Sequence, residues 1–156
     1  MITIDHARGS GDIEEVRRLF RAYWAALDVD ICFQNFGAEL ENLPGKYVPP
    51  TGALFLARND AGEAVGCIAL RATEKDGCCE MKRLYLAPEG RGNGTGRALV
   101  RAIMDEARKL GYGEMRLDTL PILEPAIALY RSEGFAECAP FGEPDKVKVL
   151  YFSRAL

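Results

Sequence analysis

Apolar residues recur along the chain at two spacings, and the switches between them predict the elements. Ile13, Val16, Phe20, Tyr23, Trp24 and Leu27 step by three and four residues, predicting an amphipathic helix from Asp12 to about Leu27 with Asp12 as its cap. "ICFQNFGAELENL" predicts a shorter second helix, and "LPGKYVPPTG" breaks it into loop. "ITID", "ALFLARN", "EAVGCIALRA", "CCEMKRLYLA", "EMRLDTL" and "KVKVLYFSRAL" read as strands, with Asp60-Ala61-Gly62 as a hairpin turn between the second and third. Leu99, Ile103, Ala107 and Leu110 predict a helix stopped by Gly111. A last helix opens near Pro125, carries Ala126, Leu129 and Tyr130, and ends at Gly134. The order β-α-α-β-β-β-α-β-α-β predicts a single mixed α/β domain over residues 1–156.

Composition narrows the chemistry more than the fold. A net charge of −3 gives no global attraction to nucleic acid, and no apolar stretch is long enough for a membrane span. The N-terminus lacks a signal-like apolar run, so a cytoplasmic protein is expected. Cys32, Cys67, Cys78, Cys79 and Cys138 fit no zinc or redox spacing and read as free thiols. With His6 the single histidine, neither a histidine-based metal site nor a Ser-His pair is expected, and no metal is assigned.

The segment "LYLAPEGRGNGTGRALV", Leu84 to Val100, passes from strand through Gly92, Gly94 and Gly96 into a helix. Helix-start N–H groups lack partners, the helix dipole is positive there, and glycines let an oxyanion come close. Arg91, Arg97 and Arg101 add positive charge, so a phosphate-bearing ligand is the expectation. A P-loop would place Lys-Ser/Thr after the last glycine, where Arg97-Ala98 stands, and the dinucleotide fingerprint has a different glycine spacing.

The run Arg91-Gly92-Asn93-Gly94-Thr95-Gly96 resembles the Q/R-x-x-G-x-G/A acyl-CoA motif of the GNAT superfamily of N-acetyltransferases. "AIALYRSEGF", Ala126 to Phe135, is similar to the helix that follows it in that family. Thr95 departs mildly from an aliphatic preference, and Leu123 stands where many members carry a CoA-contacting asparagine. The resemblance implies a GNAT-like α/β (α+β) fold, a mixed sheet of six to seven strands flanked by about four helices. It also implies acetyl-CoA or coenzyme A as cofactor, and acetyl transfer by direct attack of an amine in a ternary complex. By motif position, Tyr130 would protonate the leaving thiolate, and Glu80, with Asp118 in reserve, would take the amine proton. Strand alternation puts Glu80, Lys82, Leu84 and Leu86 on one face unless a bulge intervenes. Leu84, Tyr85 and Leu86 would present backbone to the pantetheine arm, and Arg91, Gly92, Asn93, Gly94, Thr95, Gly96 and Arg97 would hold the pyrophosphate.

The same resemblance points to the first helices and their loop as the acceptor wall, with Tyr23, Trp24, Phe33, Gln34, Phe36 and Glu39 as candidates. The partner expected is a small-molecule or peptide amine, and the acids around Glu39 favour a cationic one. Neither nucleic acid nor membrane is expected as a partner, and a homodimer is left open. The alternatives are an acyl-CoA sensor without turnover and a domain binding another phosphate ligand.

Overall fold

The computed structural model describes residues 1–27, 36–142 and 148–156. Its strands are β1 (Thr3–His6), β2 (Ala53–Arg58), β3 (Ala64–Ala72), β4 (Cys78–Leu86), β5 (Glu114–Thr119), β6 (Ala136–Glu137) and β7 (Leu150–Ala155). Its helices are α1 (Gly9–Leu27), α2 (Phe36–Glu41), α3 (Thr95–Lys109) and α4 (Glu124–Ser132). The strands form one sheet in the order β1-β2-β3-β4-β5-β7-β6. All neighbours pair antiparallel except β4 and β5, which α3 connects as a parallel crossover.

The unbroken apolar runs of β2 and β3 follow from burial on both faces of the sheet. Toward α3 and α4, Ile68, Leu70, Met81, Met115 and Leu117 pack with Leu99, Ile103 and Phe135. On the opposite face, Leu54, Leu56, Cys67, Ala69 and Tyr85 pack under Val16, Leu19 and Phe20 of α1. Each helix therefore lays one apolar stripe on the sheet, as its spacing requires.

Four sequence expectations change in detail. Helix α1 starts at Gly9, whose φ of 74° turns the chain in, and Asp12 sits inside the first turn. From there its carboxylate accepts the Arg8 backbone N–H at 2.8 Å and pairs with Arg58. The second helix is described only as Phe36–Glu41, and the final strand spans Leu150–Ala155. The two-residue β6 is an addition, too short to carry an alternation signal.

The fourth change shapes the site. Cys67 pairs with Tyr85 while Ala69 pairs with Lys82, so Ile68 faces the two residues Arg83 and Leu84. Arg83 takes a left-handed φ of 60°, a conformation that costs a non-glycine residue about 1–2 kcal/mol. This bulge reverses the alternation. Met81, Leu84 and Leu86 face α3, whereas Tyr85 packs on the α1 side. Glu80 and Lys82 consequently do not share a face with Leu84 and Leu86, as unbroken alternation predicted.

Candidate active site

The parallel pairing of β4 with β5 ends early. Cys78 faces Glu114, Cys79 faces Met115 and Glu80 faces Arg116, and beyond this the two strands part. A cleft of about 40 Å³ opens there, lined by Met81 to Leu84, Leu117 to Thr119, Tyr23 of α1 and Tyr130 of α4. The gap thus runs through the sheet, with an α4 residue at one mouth and an α1 residue at the other. Among the described residues, backbone groups of β4 beyond Glu80 have no strand partner on this side, an edge that an extended ligand could pair with.

At the end of β4 the chain turns through Pro88–Gly90 into the glycine loop. Gly92 and Gly94 have φ of 81° and 82°, and a Cβ on either would meet open space. Their absent side chains therefore permit the left-handed turn and leave the backbone bare. Gly94 is the N-cap of α3, with no side-chain cap and no acid in the first turn, so no carboxylate competes with an incoming anion. Asn93 Oδ1 accepts from the Thr95 N–H at 3.3 Å and from its hydroxyl, bracing the turn. Gly96 has another task. A Cβ there would come within 3.3 Å of both Leu86 and Leu129, so this glycine lets α3 settle against β4 and α4.

The arginines divide their work. Arg97 and Arg101 both bind the buried carboxylate of Glu133 at the end of α4, at 2.5 and 2.7 Å. The hydrogen bond from Arg101 is the main cause of a Glu133 carboxyl below the usual range. Arg97 is thus a tie between helices, and its contribution to an anion would come from its backbone N–H. Arg91 folds back to donate from Nε to the Leu86 carbonyl at 2.9 Å.

Tyr130 is buried, with its ring edge-on to Phe135 at 6.1 Å. Burial pushes its phenol well above the ordinary value of 10.0, with Tyr23 and Asp118 adding to the shift. A phenol so placed stays protonated at neutral pH and can donate.

Outside the cleft, on the α1 side, lies a larger cavity of about 680 Å³. Its wall carries a charged lattice drawn from neighbouring strands. Arg71 donates to Glu80 Oε1 from Nε at 3.1 Å and from Nη2 at 2.9 Å. Lys82 Nζ stands 3.5 Å from Glu80 Oε2 and 4.0 Å from Asp118. Glu80 lines this cavity but not the cleft; Asp118 and Lys82 line both.

On the predicted acceptor wall, Tyr23 lines the cleft with its ring 5.5 Å from that of Tyr85. Trp24 lies under the Arg83 guanidinium, 4.7 Å from its ring centre. Phe36 opens α2, while Phe33 and Gln34 fall outside the described residues. Glu39 does not offer the free negative charge expected of it. Arg83 grips it at 2.9 and 3.1 Å and the Tyr47 hydroxyl donates at 3.2 Å. Burial by itself would raise the Glu39 carboxyl, but Arg83, Tyr47 and Lys82 outweigh it and hold it below 4.5. Leu123 is the N-cap of α4 without a side-chain bond, and it packs with Leu27 and Leu120 instead of offering a polar contact.

Sequence reasoning missed Arg71 and Arg116 as cavity residues. The available signal was a charge at alternate positions of central strands, Glu80 and Lys82 in β4 and Arg116 and Asp118 in β5, where burial would demand apolar residues.

Relatives share the family and the fold. The family model described as Acetyltransferase (GNAT) family matches residues 13–135. An uncharacterised N-acetyltransferase of Schizosaccharomyces pombe is 41% identical over 150 residues, covering 96% of this chain and 92% of its own. A GNAT-family acetyltransferase from Staphylococcus aureus superposes with a TM-score of 0.83 at 19% identity, over 99% of both chains. The PaiA N-acetyltransferase of Thermoplasma acidophilum, solved in complex with coenzyme A, gives a TM-score of 0.79 at 20% identity over 100% of this chain and 99% of its own. By the extent of the family match and the full-length relative, the chain belongs to the GNAT family of acetyl-CoA-dependent acetyltransferases.

Proposed function

We propose that this chain acetylates a primary amine of a small molecule or peptide by direct attack within the β4–β5 cleft. The carrying observation is that the cleft runs through the sheet. It has a bare helix-start cradle and Tyr130 on one side, and Asp118 with the large cavity on the other. Acetyl-CoA supplies a thioester there: the amine nitrogen forms a bond to the acyl carbon, the C–S bond breaks, and coenzyme A leaves as its thiol.

The chain's own residues divide the remaining work. N–H groups from Gly92 to Arg97 would hold the pyrophosphate, and the edge of β4 from Leu84 to Leu86, where pairing with β5 has ended, would orient the pantetheine arm. The Tyr130 hydroxyl would give its proton to the sulfur as charge develops. An amine near pKa 10 must lose a proton before attack. Glu80 is a weaker candidate for that proton than expected, because its oxygens are engaged by Arg71 and faced by Lys82 and it does not line the cleft. Asp118 does line it, so we assign proton removal to Asp118, with Glu80 positioning Lys82. A sensor lacking turnover would have no use for a carboxylate and a buried phenol at the same cleft.

The test pairs two measurements. Acetyl-CoA and CoA, but not ATP or NAD, should raise the unfolding midpoint, with about 2.7 kcal/mol of stabilisation at 100 times Kd. Asp118→Asn should lower kcat and remove the acidic limb of the pH–rate profile, while Glu80→Gln keeps that limb. Loss of the limb only in Glu80→Gln would return the base role to Glu80. No shift with acetyl-CoA in folded protein would refute the acetyl-donor site itself.

A further inference from the structure

Resting on that reading, we infer that the acceptor is an amino acid in the broad sense, an amine that also bears a carboxylate, with the carboxylate taken by Arg116. The charge lattice of the 680 Å³ cavity carries the inference. Four cations, Lys46, Arg71, Lys82 and Arg116, face three carboxylates, Glu74, Glu80 and Asp118. Arg71 is committed to Glu80. Lys82 is within ion-pair range of Glu80 and Asp118 yet hydrogen-bonds to neither, and its side chain is only 12% exposed. Among the described residues the wall thus carries more cations than carboxylates, and an amine alone would leave it so.

Arg116 is where a carboxylate fits. Its side chain is 9% exposed, its guanidinium lies over Phe141 at 4.2 Å, and its buried Nε has no hydrogen-bond partner among the described residues. Among the described residues only Nη2 is used, and both Glu74 oxygens crowd onto it at 2.6 and 2.7 Å. A guanidinium is best matched by a carboxylate spread over two of its nitrogens. Glu74 makes a poor permanent partner, because it projects from the β3–β4 turn with its side chain 69% exposed. Solvent competes for so exposed a carboxylate at little cost, so an acceptor carboxylate entering the cavity can displace it.

The layout also orders the two ends. Asp118 lies two residues beyond Arg116 on the same face of β5, about 7 Å along the strand. Asp118 borders the cleft and Arg116 does not. An amine approaching the cleft beside Asp118 would thus trail its carboxylate back toward Arg116. An acceptor that is only cationic would bring its charge against Lys82 and Arg116 with no carboxylate of its own to offer them.

The experiment is a ladder of glycine, β-alanine, 4-aminobutyrate, 6-aminohexanoate and glutamate, each against its carboxamide, followed by CoA release in the intact protein. At least one acid should exceed its amide by about ten- to a hundredfold in kcat/KM, the worth of one charge-assisted contact. Arg116→Gln should abolish that preference by raising KM for the acid far more than for the amide. Because a buried arginine can matter for folding, Glu74→Ala is the companion variant: freeing Arg116 should lower KM for the acid severalfold and leave the amide alone. Amides matching or outrunning acids across the ladder, or Glu74→Ala without selective effect, would overturn the inference while leaving the acetyl-donor reading intact. Failure of acetyl-CoA to bind at all would instead remove the reading beneath it.

Discussion

The glycine loop and the charged cavity are built by opposite means. The loop is one continuous stretch, Gly92 to Arg97, which offers main-chain N–H groups at a helix start and left-handed dihedrals. The cavity takes Lys46 from a loop and Arg71, Lys82 and Arg116 from three adjacent strands, and works through side-chain charge. Backbone recognition tolerates changes in most side chains and punishes a Cβ. Charge recognition is indifferent to backbone detail and depends on which side chains the fold brings together.

The seam between the two regions should show the largest effect. Tyr130→Phe removes the proton donor without altering the buried ring, so kcat should fall about a hundredfold while acetyl-CoA binding is retained. Steady-state kinetics beside a thermal-shift titration checks it, and unchanged turnover would remove Tyr130 from the chemistry. Next comes the backbone region alone. Gly94→Ala forces an alanine to a φ of 82°, which should cost about 1–2 kcal/mol of stability and weaken acetyl-CoA binding about tenfold. Titration calorimetry distinguishes this from an effect on the acceptor, whose KM should hold.

The smallest effect sharpens the charge side. The Glu39 carboxyl is held below 4.5 in the folded chain, so the stability it lends is fully present above that value. It is lost as pH falls through the lowered folded value. Glu39→Gln should therefore lower the midpoint at neutral pH by roughly 2–4 °C, about 1 kcal/mol, and narrow its difference from the parent in acid. Midpoints measured from pH 7 to 3 would reveal it. A constant difference across that range would mean the Arg83 pair contributes nothing that titrates.

Legibility followed the same division. The order of helices and strands could be read from spacing because each element buries a face set by its own period, as Leu99, Ile103 and Ala107 show. The glycine loop could be read because φ near 80° and a bare helix start demand residues with no Cβ. The start of α1 was misread because Gly9 and Asp12 cooperate across the first turn, and either could open a helix. Glu39 was misread because its partner, Arg83, is 44 positions away.

By itself the sequence determined the layered α/β plan, the left-handed glycine turn at the start of α3 and the place of Tyr130 on α4, since all three depend on local period or local conformation. Only the tertiary structure decided which face Leu84 and Leu86 present, because one extra residue at Arg83 inverts the alternation beyond it. It also decided that Arg116 and Lys82 face one cavity with Asp118, and that Glu80 is spoken for by Arg71. Coulombic and hydrogen-bond energies depend on distance in space, and strand register sets that distance for residues far apart in the chain.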